Sequence, residues 1–327
     1  MCLKPIKIGN PTRRFVPGLS RPVFYVPCGS CKECMTKQQD DWFVRAIFEA
    51  KRVRAKGGAV WFPTLTYNDE NLPVWNDPIH DYSCQCFSKE HFKSFRNKLR
   101  IYLKRKGYDC SGENTIRYIY CCEYGSEKGR AHIHCLLFVP FFVPKDVMQD
   151  CIDRAWIYGF AMESKKGLIV EGIAGIQYAM KYITKDMLWM KKYDVEDYLA
   201  TLKNDIHTAS SPELAEKARE LLRQFRRVMP HHGQSMGFGV DGVNYFRNAD
   251  GSWNKNLCVD GRIDRCKLGL PPTKRGQNFM YNMPMYFVRK IFYNVDDWNL
   301  YKLSEFGKEI FAIRYDLSCS YFNGARC

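Results

Sequence analysis

The feature that most constrains the fold is a pair of strand-like runs separated by a short, glycine-flanked loop. Residues 115–124 are rich in Ile, Tyr and Cys, and residues 131–139 read Ala-His-Ile-His-Cys-Leu-Leu-Phe-Val. Between them lies Gly125-Ser126-Glu127-Lys128-Gly129, short enough that the two runs return as antiparallel neighbours. Side chains two apart in a strand share a face, so His132 and His134 project together while Ile133 and Cys135 face the other way. Glu123, near the end of the preceding run, swings to the histidine face. Two imidazoles and a carboxylate with open positions make a divalent-metal clamp that leaves room for phosphate oxygens and water. The alternative is a pair of structural histidines beside a turn glutamate. Glu113 precedes the strand and Glu127 sits in the loop, so Glu123 is the expected third ligand.

Around this hairpin the pattern alternates helices and strands. Trp42, Ala46, Ile47, Ala50 and Val53 recur at helical spacing and predict a helix over 38–56, stopped by Gly57-Gly58. A strand over 59–67 and a polar, proline-containing loop over 68–86 follow. Ser88 caps a helix over 89–106 whose apolar members are Phe92, Phe95, Leu99 and Leu103. Pro144 opens a third helix to about residue 156, residues 158–163 form a short strand, and a fourth helix covers 172–190. A helix over 211–227 carries Lys217, Arg219, Arg223, Arg226 and Arg227, and residues 230–327 are mixed and turn-rich. Hairpin-connected strands with interspersed helices predict an α+β fold built on an antiparallel sheet. The expected division is a core over 1–190, including a Cys-rich N-terminal segment, and a basic extension over 191–327.

Charge narrows the class of partner. Fifty Lys and Arg against 35 Asp and Glu leave a formal charge of +15, which favours a polyanion because each neutralised phosphate releases counterions. Aromatics make up 15% of the chain, suited to stacking on unpaired bases or to filling a large core. The first ten residues hold no apolar signal segment, and the most apolar stretch, 131–144, is too short to span a bilayer. A soluble, intracellular protein is expected. Fifteen cysteines in a chain of 327 residues then point to reduced thiols or a metal cluster rather than disulfides. Cys28, Cys31 and Cys34 form C-x2-C-x2-C, read either as a structural zinc site or as reduced thiols at a helix start. Gln38 occupies the place of a ferredoxin-like fourth cysteine, so a fourth ligand would come from Cys2, Cys84 or Cys86.

The last piece is Tyr178-Ala179-Met180-Lys181-Tyr182-Ile183-Thr184-Lys185. Spacing by four stacks Tyr178 over Tyr182 and Lys181 over Lys185 on a helix. A phenol, with a reference pKa of about 10, is a poor nucleophile. A metal that polarises phosphate and a nearby lysine charge make its attack feasible.

These motifs carry a resemblance. His132-Ile133-His134 resembles the His-hydrophobe-His motif of HUH endonucleases, and residues 178–185 resemble the two-tyrosine motif of microvirus replication initiators. Thr64-Leu65-Thr66-Tyr67 is similar to the first motif of rolling-circle initiators. With Cys28-Gly29-Ser30-Cys31-Lys32-Glu33-Cys34, the layout of residues 25–190 looks most like the replication initiation proteins of gokushoviruses (Microviridae). The resemblance implies an HUH-type antiparallel sheet flanked by helices, with a mixed C-terminal extension. It implies a phage endonuclease that nicks single-stranded origin DNA through Tyr178 or Tyr182, leaving a 5′-phosphotyrosine and a free 3′-hydroxyl for rolling-circle replication. Mg²⁺ or Mn²⁺ on His132, His134 and Glu123 is the implied cofactor, with Lys181 or Lys185 stabilising phenolate or phosphate charge. No Gly-x4-Gly-Lys-Ser/Thr run is present, so strand separation falls to a host helicase and extension to a DNA polymerase, in the host bacterial cytoplasm. Two alternatives stand beside it: another HUH nuclease (a plasmid initiator or transposase), or a non-catalytic basic single-stranded DNA-binding protein.

Overall fold

The structure is a computed structural model. It describes residues 3–9, 23–29, 31–125, 129–163, 168–184, 194–270, 276, 279–295 and 301–324, and of residues 23–24, 181–184, 301 and 315–324 the backbone alone. In chain order the elements begin with a hairpin of β1 (Ile6–Gly9) and β2 (Val23–Val26), then α1 (Lys32–Ala55). Next come β3 (Ala59–Trp61), β4 (Pro63–Tyr67), β5 (Val74–Asp77), β6 (Tyr82–Gln85) and α2 (Lys89–Arg105). They are followed by β7 (Arg117–Tyr124), β8 (Ala131–Val139), α3 (Lys145–Ala155), β9 (Gly159–Glu163) and α4 (Gly172–Thr184). Then come α5 (Val195–Thr208), α6 (Pro212–Val228) and β10 (His232–Gln234). The remaining elements are α7 (Lys255–Asp260), β11 (Arg262–Asp264), β12 (Met280–Asn282), α8 (Met285–Phe292), β13 (Tyr293–Val295), β14 (Tyr301–Leu303) and α9 (Glu305–Gly324). The fold is α+β. No helix among the described residues is long and apolar enough to cross a membrane.

The chain divides into two compact units, residues 49–238 and residues 1–48 with 239–327. The first holds the central sheet, in the order β10-β7-β8-β4-β9, with β3 also on β8 and every pairing antiparallel. β3 and β4 share one register on β8, since Trp61 pairs with Leu137 and Thr64 with His134. The break between them falls at Pro63, which has no N–H for the ladder. The Phe62 N–H turns instead to the Leu168 carbonyl at 2.7 Å. Gly159 lets β9 close on β4: its φ is +154°, and a Cβ there would lie 2.2 Å from the Thr66 carbonyl oxygen.

The two faces of this sheet differ. Tyr118, Cys122 and Tyr124 of β7 and Ala131, Ile133, Cys135, Leu137 and Val139 of β8 are buried in one cluster with Phe92, Phe95, Leu99 and Leu103 of α2 and Met148, Cys151 and Ile152 of α3. The α2 stripe is the one its sequence spacing predicts, and Ser88 caps it by accepting from the His91 N–H. The opposite face carries Glu123, His132 and His134. α4 packs against β7 and β8, and Ile176, Ala179 and Met180 are its buried residues.

The region read as a loop over 68–86 contains the β5–β6 hairpin, and α5 and β10 also lie where no element was expected. These strands are three or four residues long and polar, too short for an alternation to register. α1 starts at Lys32 rather than residue 38, because its first turn and a half (Lys32 to Lys37) is polar and half-exposed and shows no apolar spacing. The fourth helix is described to Thr184, and its expected continuation over 185–190 lies outside the described residues.

The hairpin is fastened to α5 by a polar cluster. His80 bonds the Asp77 carboxylate at 2.6 Å and the Asp205 carboxylate at 2.8 Å. Tyr198 donates to Asp77 at 2.6 Å, accepts from the Trp75 indole at 3.1 Å, and stacks on Tyr82 with ring centroids 3.8 Å apart. The hydrogen bond to Asp77, aided by the one to Asp205 and opposed by burial, raises the His80 pKa above its ordinary value. A raised histidine stabilises fully below its unfolded pKa of about 6.5, and the contribution is lost as pH rises through the folded value. His80→Ala should therefore cost roughly 1–3 kcal/mol in denaturant unfolding at pH 5.5, because buried Asp77 loses its cation. The gap between variant and wild type should narrow at pH 8.5, and a gap that widens instead would contradict the assignment.

Candidate metal centre

The three residues expected to bind a metal are brought together. β7 and β8 pair Glu123 with His132 and Cys121 with His134, and directly opposed residues share a face. Both imidazoles converge on one oxygen: His132 Nε2 lies 3.0 Å and His134 Nε2 2.9 Å from Glu123 Oε1. The two rings are 4.8 Å apart and nearly perpendicular. Glu123 is 5% exposed and His134 7%. Burial pushes the Glu123 carboxyl up, but the hydrogen bonds from His132 and His134 outweigh it and bring it down to about 2.

The far side of each ring is also held. His132 Nδ1 is 3.1 Å from the Arg130 carbonyl, and His134 Nδ1 is 2.9 Å from Thr64 Oγ1. Phe62 stacks on His134, with centroids 5.7 Å apart. A carbonyl only accepts, so His132 Nδ1 carries a hydrogen and donates it. In the neutral ring the bare Nε2 lone pair then faces a carboxylate oxygen, an arrangement that repels unless a cation lies between. A proton or a metal ion meets that need, and fixing Nδ1 through a carbonyl or hydroxyl is how metal-binding imidazoles are oriented. The donor set fits a divalent cation. Thr64 and the Arg130 carbonyl were not singled out from sequence as supports. The usable signal was Thr-x-Thr at strand spacing in Thr64-Leu65-Thr66, which mirrors His-x-His on the neighbouring strand.

The tyrosine segment is partly described. The α4 backbone places residues 178 and 182 one turn apart, on a helix against β7 and β8. Tyr178 is half-buried. The side chains of Lys181 and Tyr182, and all of Lys185, lie outside the described residues.

Cys28, Cys31 and Cys34 gather at the start of α1, with their sulfurs within 4.8 Å of one another. The Cys31 N–H donates to Cys28 Sγ at 3.3 Å. Backbone hydrogen bonds from Leu3 and Cys34 lower the Cys31 thiol below its usual value. No fourth ligand joins this group among the described residues. Cys84 and Cys86 are buried in a separate cluster with Tyr198, Leu202 and Phe225, and Cys2 lies outside the described residues.

With this geometry in view, residues 60–187 match the family model of the ORF2 type of replication-associated protein. The chain is similar to the replication-associated protein ORF2 of Spiroplasma virus 4, at 34% identity over 128 residues, 39% of this chain and 35% of the relative. It is also similar to the replication-associated protein ORF4 of Chlamydia phage 1, at 31% identity over 115 residues, 35% of this chain and 24% of the relative. The chain thus spans about a third or less of the length of these curated relatives. No solved structure matches it. The matched segment holds Glu123, His132, His134 and all of α4, and residues 60–187 accordingly carry an ORF2-type replication-associated protein domain of the kind found in phage replication initiators.

Proposed function

We propose that the chain is an HUH-type phage endonuclease that nicks single-stranded origin DNA through a tyrosine and so starts rolling-circle replication. The observation that carries this reading is the convergence of His132 and His134 on the Glu123 carboxylate within the segment that matches replication-associated proteins. Mg²⁺ or Mn²⁺ held by these three residues supplies positive charge that polarises a phosphate oxygen. Thr64 and the Arg130 carbonyl keep the rings aimed, and the buried sheet face behind them keeps the strand rigid. The oxygen of Tyr178 or Tyr182 bonds to the scissile phosphorus while the bond from phosphorus to the 3′ oxygen breaks. The phenol proton is balanced by the proton gained at the 3′ oxygen, and the backbone energy is retained in the 5′-phosphotyrosine. Lys181 or Lys185 offsets charge on the phenolate or phosphate. A host helicase separates the strands and a polymerase extends the 3′-hydroxyl, in the host bacterial cytoplasm. The C-x2-C-x2-C group at the start of α1 holds a structural zinc, a role separate from the nicking centre.

His132→Ala with His134→Ala should abolish cleavage of single-stranded DNA and Mn²⁺ binding by calorimetry, while most DNA binding persists because the basic surface is unchanged. Thr64→Val should weaken Mn²⁺ binding by roughly 10–100-fold through loss of ring orientation. Undiminished nicking by the double variant in chelator would overturn the metal centre.

Tyr178→Phe and Tyr182→Phe should each still form a covalent DNA adduct on a denaturing gel, and the double variant none. Mapping of the adduct to the remaining tyrosine each time is the expected result. Loss of every adduct in Tyr178→Phe, with Tyr182→Phe like wild type, would leave Tyr182 as scaffold. Absence of any adduct from the wild type would favour a non-catalytic DNA-binding protein.

For the cysteine group, elemental analysis of the purified protein should find about one zinc per chain, lost in a Cys28→Ser, Cys31→Ser double variant. Three titratable thiols with no zinc would assign the group as reduced cysteines.

A further inference from the structure

β9 continues the metal-centre face beyond the three ligands. Thr66 pairs with His132 on one side and with Phe160 on the other, so Glu123, His132, Thr66 and Phe160 form one row across four strands. In the next row His134, Thr64 and Met162 line up in the same way. Ala161, between the two β9 residues, packs against the core on the opposite face. The ring of Phe160 is thereby turned to the metal-centre side, where the residue is 64% exposed, and Met162 beside it is 52% exposed. An aromatic ring and a thioether standing side by side in solvent on a sheet contribute nothing to the core.

A second observation lies between Phe160 and His132. Thr66 Oγ1 is shielded from solvent and has no hydrogen-bond partner. Thr64, two residues earlier on the same face, uses its hydroxyl on His134. An unmade hydrogen bond at a shielded hydroxyl is costly, and a bound ligand with an acceptor oxygen would satisfy it.

We propose that Phe160 is the stacking platform for an unpaired base next to the scissile phosphate, with Thr66 donating its hydroxyl to the sugar-phosphate backbone between that base and the metal centre. This rests on the reading of the site as a single-strand nickase. The spacing suits it: Phe160 lies two strands from His132, roughly 10 Å at about 4.8 Å per strand. An aromatic face accepts any base, and a duplex cannot present one unstacked. The row therefore selects single strands by requiring an exposed base. Met162 extends the apolar surface along β9 for the edge of the same base, since thioethers pack well against rings.

The test is binding of a fluorescently labelled, mixed-sequence single-stranded 20-mer to the full chain, followed by anisotropy in Mn²⁺. Phe160→Ala should weaken binding by about 5- to 100-fold, and Phe160→Trp should keep or improve it. Thr66→Val, which removes the hydroxyl at constant shape, should weaken binding by about 10-fold. The same strand with a 2-aminopurine at successive positions should show quenching that disappears in Phe160→Ala and persists in Phe160→Trp. Binding by Phe160→Ala equal to wild type, or quenching unchanged by it, overturns the platform while leaving adduct formation by the tyrosines as a separate result. Wild-type protein that forms no adduct but loses single-strand affinity in Phe160→Ala overturns the nickase reading and keeps the platform. Wild-type protein that does not bind the strand overturns both.

Discussion

The register between β7 and β8 is the constraint on which the rest of the site depends. Because side chains alternate, a slip of one residue would send Glu123 to the opposite face from His132 and His134. The register is held from behind. Tyr118, Cys122, Tyr124, Ile133 and Leu137 are buried against α2 and α3, and fully burying a large apolar side chain contributes about 1.5–3 kcal/mol. A slipped pairing would expose several of these at once and drive a carboxylate and two imidazoles into an apolar layer. The geometry of the polar face is thus set by the hydrophobic effect acting on the other one.

Electrostatics at two length scales work in opposite directions. The chain as a whole is +15, which draws a phosphate backbone from a distance. At the centre of the sheet, however, the Glu123 carboxylate is ionised far below neutrality, and a phosphate approaching it directly would be repelled. A cation on the three ligands reverses the local sign. General affinity for DNA and competence to position one phosphate are therefore separable properties, carried by different residues.

The parts of this arrangement legible in the sequence were those written in a strong local period. The apolar stripe of α2, the hairpin of β7 and β8, and the shared face of His132 and His134 all follow from spacings of two, three and four residues. The elements that escaped were stabilised by distant partners. β5 and β6 are short and polar, and they stand because Asp77, His80 and Tyr198 join them to a helix more than a hundred residues away. β10 is three residues long, with no apolar alternation, and exists because β7 offers it a ladder. Thr64 and the Arg130 carbonyl were equally hidden: a threonine and a backbone oxygen acquire meaning only when a particular ring nitrogen is placed 3 Å away.

That short β10 strand has a consequence for where the replication-associated segment can be cut. Gln234, Gly233 and His232 cover Ile119, Tyr120 and Cys121, and the flanking Cys122 N–H reaches the His231 carbonyl at 2.8 Å while the Ser235 N–H reaches the Tyr118 carbonyl at 2.9 Å. A fragment ending at residue 187 would bare this whole edge of β7, leaving a row of unpaired donors and acceptors on the strand that carries Glu123. Such an edge recruits other chains as readily as it once held its own. The boundary marked by similarity and the boundary demanded by hydrogen bonding differ by nearly fifty residues, from 187 to 235, and only the second leaves the sheet closed against self-association.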